Sequence, residues 1–100
     1  MLRVELESDR LRFNQQGSLI AHSDSEIEIS ILCFTQPPRP PKLSPCSECG
    51  DFQIESGQRF FFTPNPILFR ENEGYLELTI RNTEGEVWRH RINIEPPLIA

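Results

Sequence analysis

Apolar and polar residues alternate along most of this chain, and the alternation is cleanest near its end. Leu76, Leu78 and Ile80 alternate with Glu77, Thr79 and Arg81; after Thr83-Glu84-Gly85, Trp88, His90, Ile92 and Ile94 alternate with Arg89, Arg91 and Asn93. A period of two on both sides predicts two half-buried strands joined as a hairpin. The three intervening residues suit a type I turn closed by a residue at positive φ, and Gly85 stands at that position. With Asn82 facing Glu86, the register follows: Ile80 opposite Trp88, Leu78 opposite His90, Leu76 opposite Ile92, and Glu77 opposite Arg91 on the outer face. Turn, core face and charge agree on one pairing.

The same period recurs upstream. Leu2, Val4 and Leu6 alternate with Arg3, Glu5 and Glu7, and Leu11 and Phe13 resume the pattern after Ser8-Asp9-Arg10, which reads as one interrupted strand. Gln15-Gln16-Gly17-Ser18 reads as a turn, followed by the short apolar Leu19-Ile20-Ala21 and a polar His22-Ser23-Asp24. Ser25 to Phe34 is the longest strand candidate, with Ile27, Ile29, Ile31 and Cys33 on one face and Glu26, Glu28 and Ser30 on the other. Leu32 and Phe34 interrupt its polar face. Between residues 36 and 50 lie five of the nine prolines, two of the three cysteines and no β-branched residue, so this segment reads as a loop. Phe52 and Ile54, then Gln58 to Thr63, read as strands, with Phe60 and Phe62 on one face and Phe61 on the other. Pro64-Asn65-Pro66 breaks the pattern, Ile67 to Arg70 reads as a short strand, and Pro96-Pro97 ends the sheet. No segment carries a helical period, and no internal repeat is visible.

About seven short strands separated by turns predict an all-β fold, an antiparallel β-sandwich occupying residues 1–100 as one domain. The stretch Val4 to Phe13, then Gly17-Ser18 and Glu26 to Ile31, is similar to the first strands of bacterial immunoglobulin-like domains, and Gly74 to Asn82 with Glu84-Gly85-Glu86 and Ile92 to Pro96 resembles their final hairpin. The two stretches cover roughly half the chain on an alternation signal. The resemblance implies an immunoglobulin-like sandwich and no particular activity. The cysteine and tryptophan spacing of antibody-type domains is absent.

Composition narrows the partners. One hundred residues, 37% hydrophobic and 25% charged, suffice for one globular core. The net charge of −5 argues against nucleic acid, whose binding relies on clustered basic residues. No apolar run approaches the ~20 residues that span a bilayer, so membrane insertion is not expected. The chain opens directly on a strand-like segment without a secretion leader, which places it in the cytoplasm if it is complete. An odd count of three cysteines suits a reducing compartment.

Three constellations could carry function. Cys46-Ser47-Glu48-Cys49-Gly50 has the spacing of half a structural zinc site, as two thiolates separated by two residues can share one tetrahedral ion. Cys33, His22, His90 or the same loop of a second subunit would have to complete it, the last making a homodimer. The competing readings are two thiols in a surface loop, a local disulfide, or a redox pair, the last disfavoured because no helix follows Cys49 to lower a thiol pKa. Pro37-Pro38-Arg39-Pro40-Pro41-Lys42 has the spacing of a polyproline II ligand, with Arg39, Pro40, Pro41 and Lys42 as its recognisable part, or is simply a stiff connection. Arg81, Arg89 and Arg91, with Tyr75, form a basic and aromatic patch on the outer hairpin face, or a solvated face in which Glu77 pairs with Arg91. His22 reads as a loop residue, and His90 as a packed or hydrogen-bonded histidine. No nucleophile elbow, phosphate-binding glycine loop or paired-carboxylate arrangement is present.

These readings lead to a non-catalytic module, without an obligatory cofactor, that presents the Pro/Cys-rich loop and the arginine face to a protein partner. Its rivals are a zinc-binding or thiol-redox protein centred on Cys46 and Cys49, and a carbohydrate-binding sandwich using Tyr75 and Phe61.

Overall fold

The structure, a computed structural model, describes residues 1–36, 50–64, 69 and 73–95. Among them lie eight strands: β1 (Arg3–Leu6), β2 (Arg10–Arg12), β3 (Gly17–His22), β4 (Ile27–Gln36), β5 (Gly50–Ile54), β6 (Arg59–Phe62), β7 (Glu73–Asn82) and β8 (Val87–Glu95). They form a three-stranded sheet in the order β1-β3-β6 and a five-stranded sheet in the order β2-β8-β7-β4-β5. The expected loop is narrower at both ends, because Gln36 and Gly50 belong to β4 and β5. Of the expected strand at Ile67 to Arg70, only Phe69 is among the described residues, and it is buried.

The final hairpin forms in the register that its loop dictates. Ile80 faces Trp88, Leu78 faces His90, Leu76 faces Ile92 and Glu77 faces Arg91. Gly85 has φ +87° and donates its N–H to the Asn82 carbonyl at 3.2 Å, closing the turn. β4 lies antiparallel along the other side of β7 and carries Ile27, Ile29, Ile31 and Cys33 on the same inner face as Leu76, Leu78 and Ile80.

The opening segment departs from the expectation of one interrupted strand. Glu7 N–H still bonds to the Ser18 carbonyl in the small sheet (3.2 Å), whereas the Asp9 carbonyl already accepts the Asn93 N–H in the large one (3.1 Å). The crossing is stabilised locally: the Ser8 hydroxyl donates to the Arg10 carbonyl at 2.8 Å and accepts the Arg10 N–H at 3.3 Å. In the large sheet β2 runs parallel to β8. The other described ladders are antiparallel, so the wholly antiparallel expectation is corrected here.

Both sheets contribute to one buried cluster. Leu19 and Ala21 from β3 and Phe62 from β6 meet Leu11, Ile29, Ile31, Leu76, Leu78, Ile80, Ile92 and Ile94 from the large sheet. Each large aliphatic side chain fully removed from water contributes roughly 1.5–3 kcal/mol, so this cluster dominates the stability of the fold. Gly17 and Ser18 open β3 rather than forming a turn, and the reason is spatial. A Cβ at Gly17 would lie 2.6 Å from the Phe62 ring and 2.8 Å from a Leu11 methyl, so the absence of a side chain there lets the two sheets close. Cys33 is buried in the same cluster, where desolvation pushes its thiol up to about 12.

Candidate functional site

The large sheet turns one face to the core and one outward. Alternation places Glu28, Ser30, Leu32 and Phe34 of β4, Tyr75, Glu77, Thr79 and Arg81 of β7, and Arg89 and Arg91 of β8 on the outer face. Register then arranges them in rows across the strands: Phe34, Tyr75 and Asn93; Leu32, Glu77 and Arg91; Ser30, Thr79 and Arg89; Glu28, Arg81 and Val87.

An aromatic and cationic stack stands at the end of this face where β7 begins and β4 and β8 finish. The Phe34 and Tyr75 rings lie 4.9 Å apart at 21°, and the Arg91 guanidinium carbon lies 3.9 Å from the Tyr75 ring centroid. Since β7 runs between β4 and β8, the two neighbours cover opposite faces of the Tyr75 ring. Such a contact at an exposed position contributes about 0.5–1 kcal/mol and holds the guanidinium against the Tyr75 ring. Leu32 stands beside the stack with 39% of its surface exposed.

The expected ion pair between Glu77 and Arg91 does not form, although the two residues face each other in register. Arg91 lies over Tyr75 instead, because a planar guanidinium gains dispersion and quadrupole attraction there, while an exposed ion pair contributes little. Among the described residues no carboxylate lies within 4.0 Å of the guanidinium groups of Arg81, Arg89 or Arg91, whereas Arg10 pairs with Glu95 at 3.5 Å. An open depression of about 310 Å³ lies beside the stack, lined in part by Tyr75, Arg91, Arg10, Asn93, Glu73 and Glu95.

Tyr75 and Arg91 are thus brought into contact, and Arg89 lies on the neighbouring row. Arg81 does not join them: it is six residues from Tyr75 along β7, roughly 20 Å away, next to Glu28 and Val87. Arg39, Pro40, Pro41, Lys42, Cys46 and Cys49 lie outside the described residues. Leu32 and Phe34, the two apolar residues on the polar phase of β4, belong to this face, but the alternation alone does not bring them to Tyr75 and Arg91. Arg10 had no signal in the sequence, since only the parallel pairing of β2 brings it to Asn93.

The histidines differ from one another. His22 ends β3 rather than lying in a loop, and its Nε2 is 2.9 Å from Glu5 Oε2, a hydrogen bond that holds the Glu5 carboxyl below its usual 4.5. His90 stacks on Trp88 at 5.6 Å and 15°, and its buried Nε2 has no hydrogen-bond partner among the described residues. On the outer face of the small sheet Glu7 accepts a hydrogen bond from the Ser18 hydroxyl, which also accepts from Arg59 at 3.0 Å. Phe61 is 52% exposed on that same sheet, so it shares no surface with Tyr75. Among the described residues no group of three or more His, Cys, Asp or Glu side chains could hold a metal ion, and no helix is long and apolar enough to cross a membrane.

The chain matches no known family model and no curated protein.

Proposed function

We propose that this chain is a non-catalytic protein-interaction module on an immunoglobulin-like sandwich, and that the outer face of β4, β7 and β8 receives the partner. The strand order supports the architecture. If β1 and β2 are the two parts of a divided first strand, the small sheet joins the first, second and fifth strands of that fold, and the large sheet joins its last two strands to the third and an added neighbour.

One observation carries the functional reading: the Phe34, Tyr75 and Arg91 stack, with exposed Leu32 beside it and the guanidinium groups of Arg89 and Arg91 free of described carboxylates. Arginine and aromatic residues ringed by polar groups are the composition enriched at protein interfaces. The carbohydrate reading is less well supported, because both faces of the Tyr75 ring are covered and Phe61 lies on the other sheet. The partner is a protein that offers carboxylates to Arg89 and Arg91 and an apolar group to Leu32.

A photo-crosslinking amino acid placed at Leu32 tests this in lysate of the source cells, with the same group at Phe61 as control. A discrete adduct from position 32 that Arg91→Ala weakens is expected. Equal labelling from both positions, or none from position 32, would overturn the reading.

A further inference from the structure

Strand β8 has one covered stretch and one open stretch along the edge turned away from β7. The turn sets the phase of its backbone. Asn82 N–H donates to the Glu86 carbonyl at 3.2 Å, so even-numbered residues of β8 hold the ladder to β7 and odd-numbered residues direct their N–H and C=O the other way. Two further bonds agree with this phase: Asn93 N–H donates to the Asp9 carbonyl at 3.1 Å, and Phe13 N–H donates to the Glu95 carbonyl at 2.9 Å. β2, however, meets β8 only from Asn93 to Glu95. Val87, Arg89 and Arg91 therefore each direct a donor and an acceptor along an edge that no described strand covers.

The side chains beside this edge specify what would fit it. On the outer face Arg89 and Arg91 are exposed without a described carboxylate partner, and Val87 is 53% exposed. On the inner face Trp88 and His90 are half-buried and stacked, and His90 Nε2 is without a described hydrogen-bond partner. A strand added here would turn alternate side chains toward the arginines and the intervening ones toward Trp88 and His90. A second copy of the same edge is a poor occupant, because antiparallel pairing of residues 87–91 with themselves would set Arg89 directly against its own copy and Arg91 diagonal to that same arginine.

We infer that the open edge of β8 from Val87 to Arg91 takes up an extended segment of a partner protein, carrying acidic residues at alternate positions and apolar ones between them, as an added strand of the large sheet. This rests on the interaction-face reading above and makes it specific. Main-chain bonds to Val87, Arg89 and Arg91 hold the segment, Arg89 and Arg91 select for acid, and Trp88 gives the intervening side chains an apolar surface.

The test uses a fluorescein-labelled peptide of about seven residues alternating glutamate and valine, with a lysine-for-glutamate version as control. By fluorescence anisotropy the acidic peptide is expected to bind at least about ten-fold more tightly than the basic one, the equivalent of two exposed charge pairs. Arg89→Glu/Arg91→Glu is expected to invert that preference. Amide exchange by NMR is expected to slow at Val87, Arg89 and Arg91 when peptide is added, while the ladder amides of Trp88 and His90 change little.

Peptide that shifts Tyr75 and Leu32 without protecting the three edge amides would overturn strand addition and leave the interaction face standing. Edge protection that rises with protein concentration alone would make a second copy the occupant and overturn the acidic partner. An absence of binding by either peptide would overturn the inference outright, whereas the fate of the face itself is read from the crosslink at Leu32.

Discussion

Asn82 and Glu86 close the last turn with three mutual hydrogen bonds. The Asn82 N–H donates to the Glu86 carbonyl (3.2 Å), the Asn82 amide donates to Glu86 Oε1 (3.0 Å), and the Glu86 N–H donates to Asn82 Oδ1 (2.9 Å). The same Glu86 oxygen accepts the Leu2 N–H at 3.1 Å, and the Asn82 amide also reaches the Ser23 hydroxyl at 3.0 Å. Two residues thus tie the hairpin to the start of the chain and to the connection before β4.

A pH dependence follows from this knot. The Glu86 carboxyl lies below its usual 4.5, held down first by the Asn82 amide and then by the Leu2 N–H. A depressed carboxyl contributes stability above its unfolded pKa and loses it as the pH falls through the lower folded value. The stability difference between wild type and Glu86→Gln is therefore expected to be complete at neutral pH and to close in acid. Urea midpoints measured across pH check this, and a difference that widens in acid would show the opposite sign.

At Gly17 the expected effect is steric. With Phe62 carbons 2.6 Å and a Leu11 methyl 2.8 Å from any added Cβ, Gly17→Ala is expected to cost about 1–3 kcal/mol through overpacking. Phe62→Leu in the same chain is expected to recover part of that cost, giving a combined loss smaller than the sum of the two. Strict additivity in thermal unfolding would remove the clash as the cause.

The two faces of the large sheet should separate cleanly in mutagenesis. Ile29, Ile80 and Ile92 are fully buried, and replacing any of them by Ala is expected to destabilise by about 2–5 kcal/mol. Glu28 is exposed on the outer face, and Glu28→Ala is expected to stay within about 0.5 kcal/mol. Chemical denaturation decides, and a Glu28 effect as large as the isoleucine effects would mean the faces are inverted.

Arg91 has two neighbours that compete for its guanidinium. A double-mutant cycle of Arg91→Ala with Tyr75→Leu is expected to show a coupling of about 0.5–1 kcal/mol, and the cycle with Glu77→Ala one close to zero. A larger coupling to Glu77 would show that the cross-strand charge pair, and not the ring, positions Arg91 in solution.

Much of the fold is legible in the alternation and turn chemistry of the chain. The β7–β8 register needs only a three-residue loop with glycine at its end and two flanking alternations in phase, because a slip by one residue would turn Leu76, Leu78 and Ile80 to solvent. The inward face of β4 and the opposed faces of Phe61 and Phe62 follow from the same period. These are short-range determinants, and neighbouring residues carry all of the information.

The tertiary structure alone decided the rest, because it depends on partners remote in sequence. Alternation is identical on either side of Ser8-Asp9, so nothing local shows that Arg3–Leu6 pairs with β3 while Arg10–Arg12 runs parallel to β8. That crossing is what leaves β8 open from Val87 to Arg91. Gly17 reads as a turn residue until the Phe62 ring is seen against it. Register makes both Glu77 and Tyr75 neighbours of Arg91, and the choice between them depends on side-chain packing, with β4 bringing Phe34 against the opposite face of the Tyr75 ring. Period and turn type are properties of adjacent residues, whereas sheet membership and side-chain choice are set by contacts that exist only once the two sheets have closed on each other.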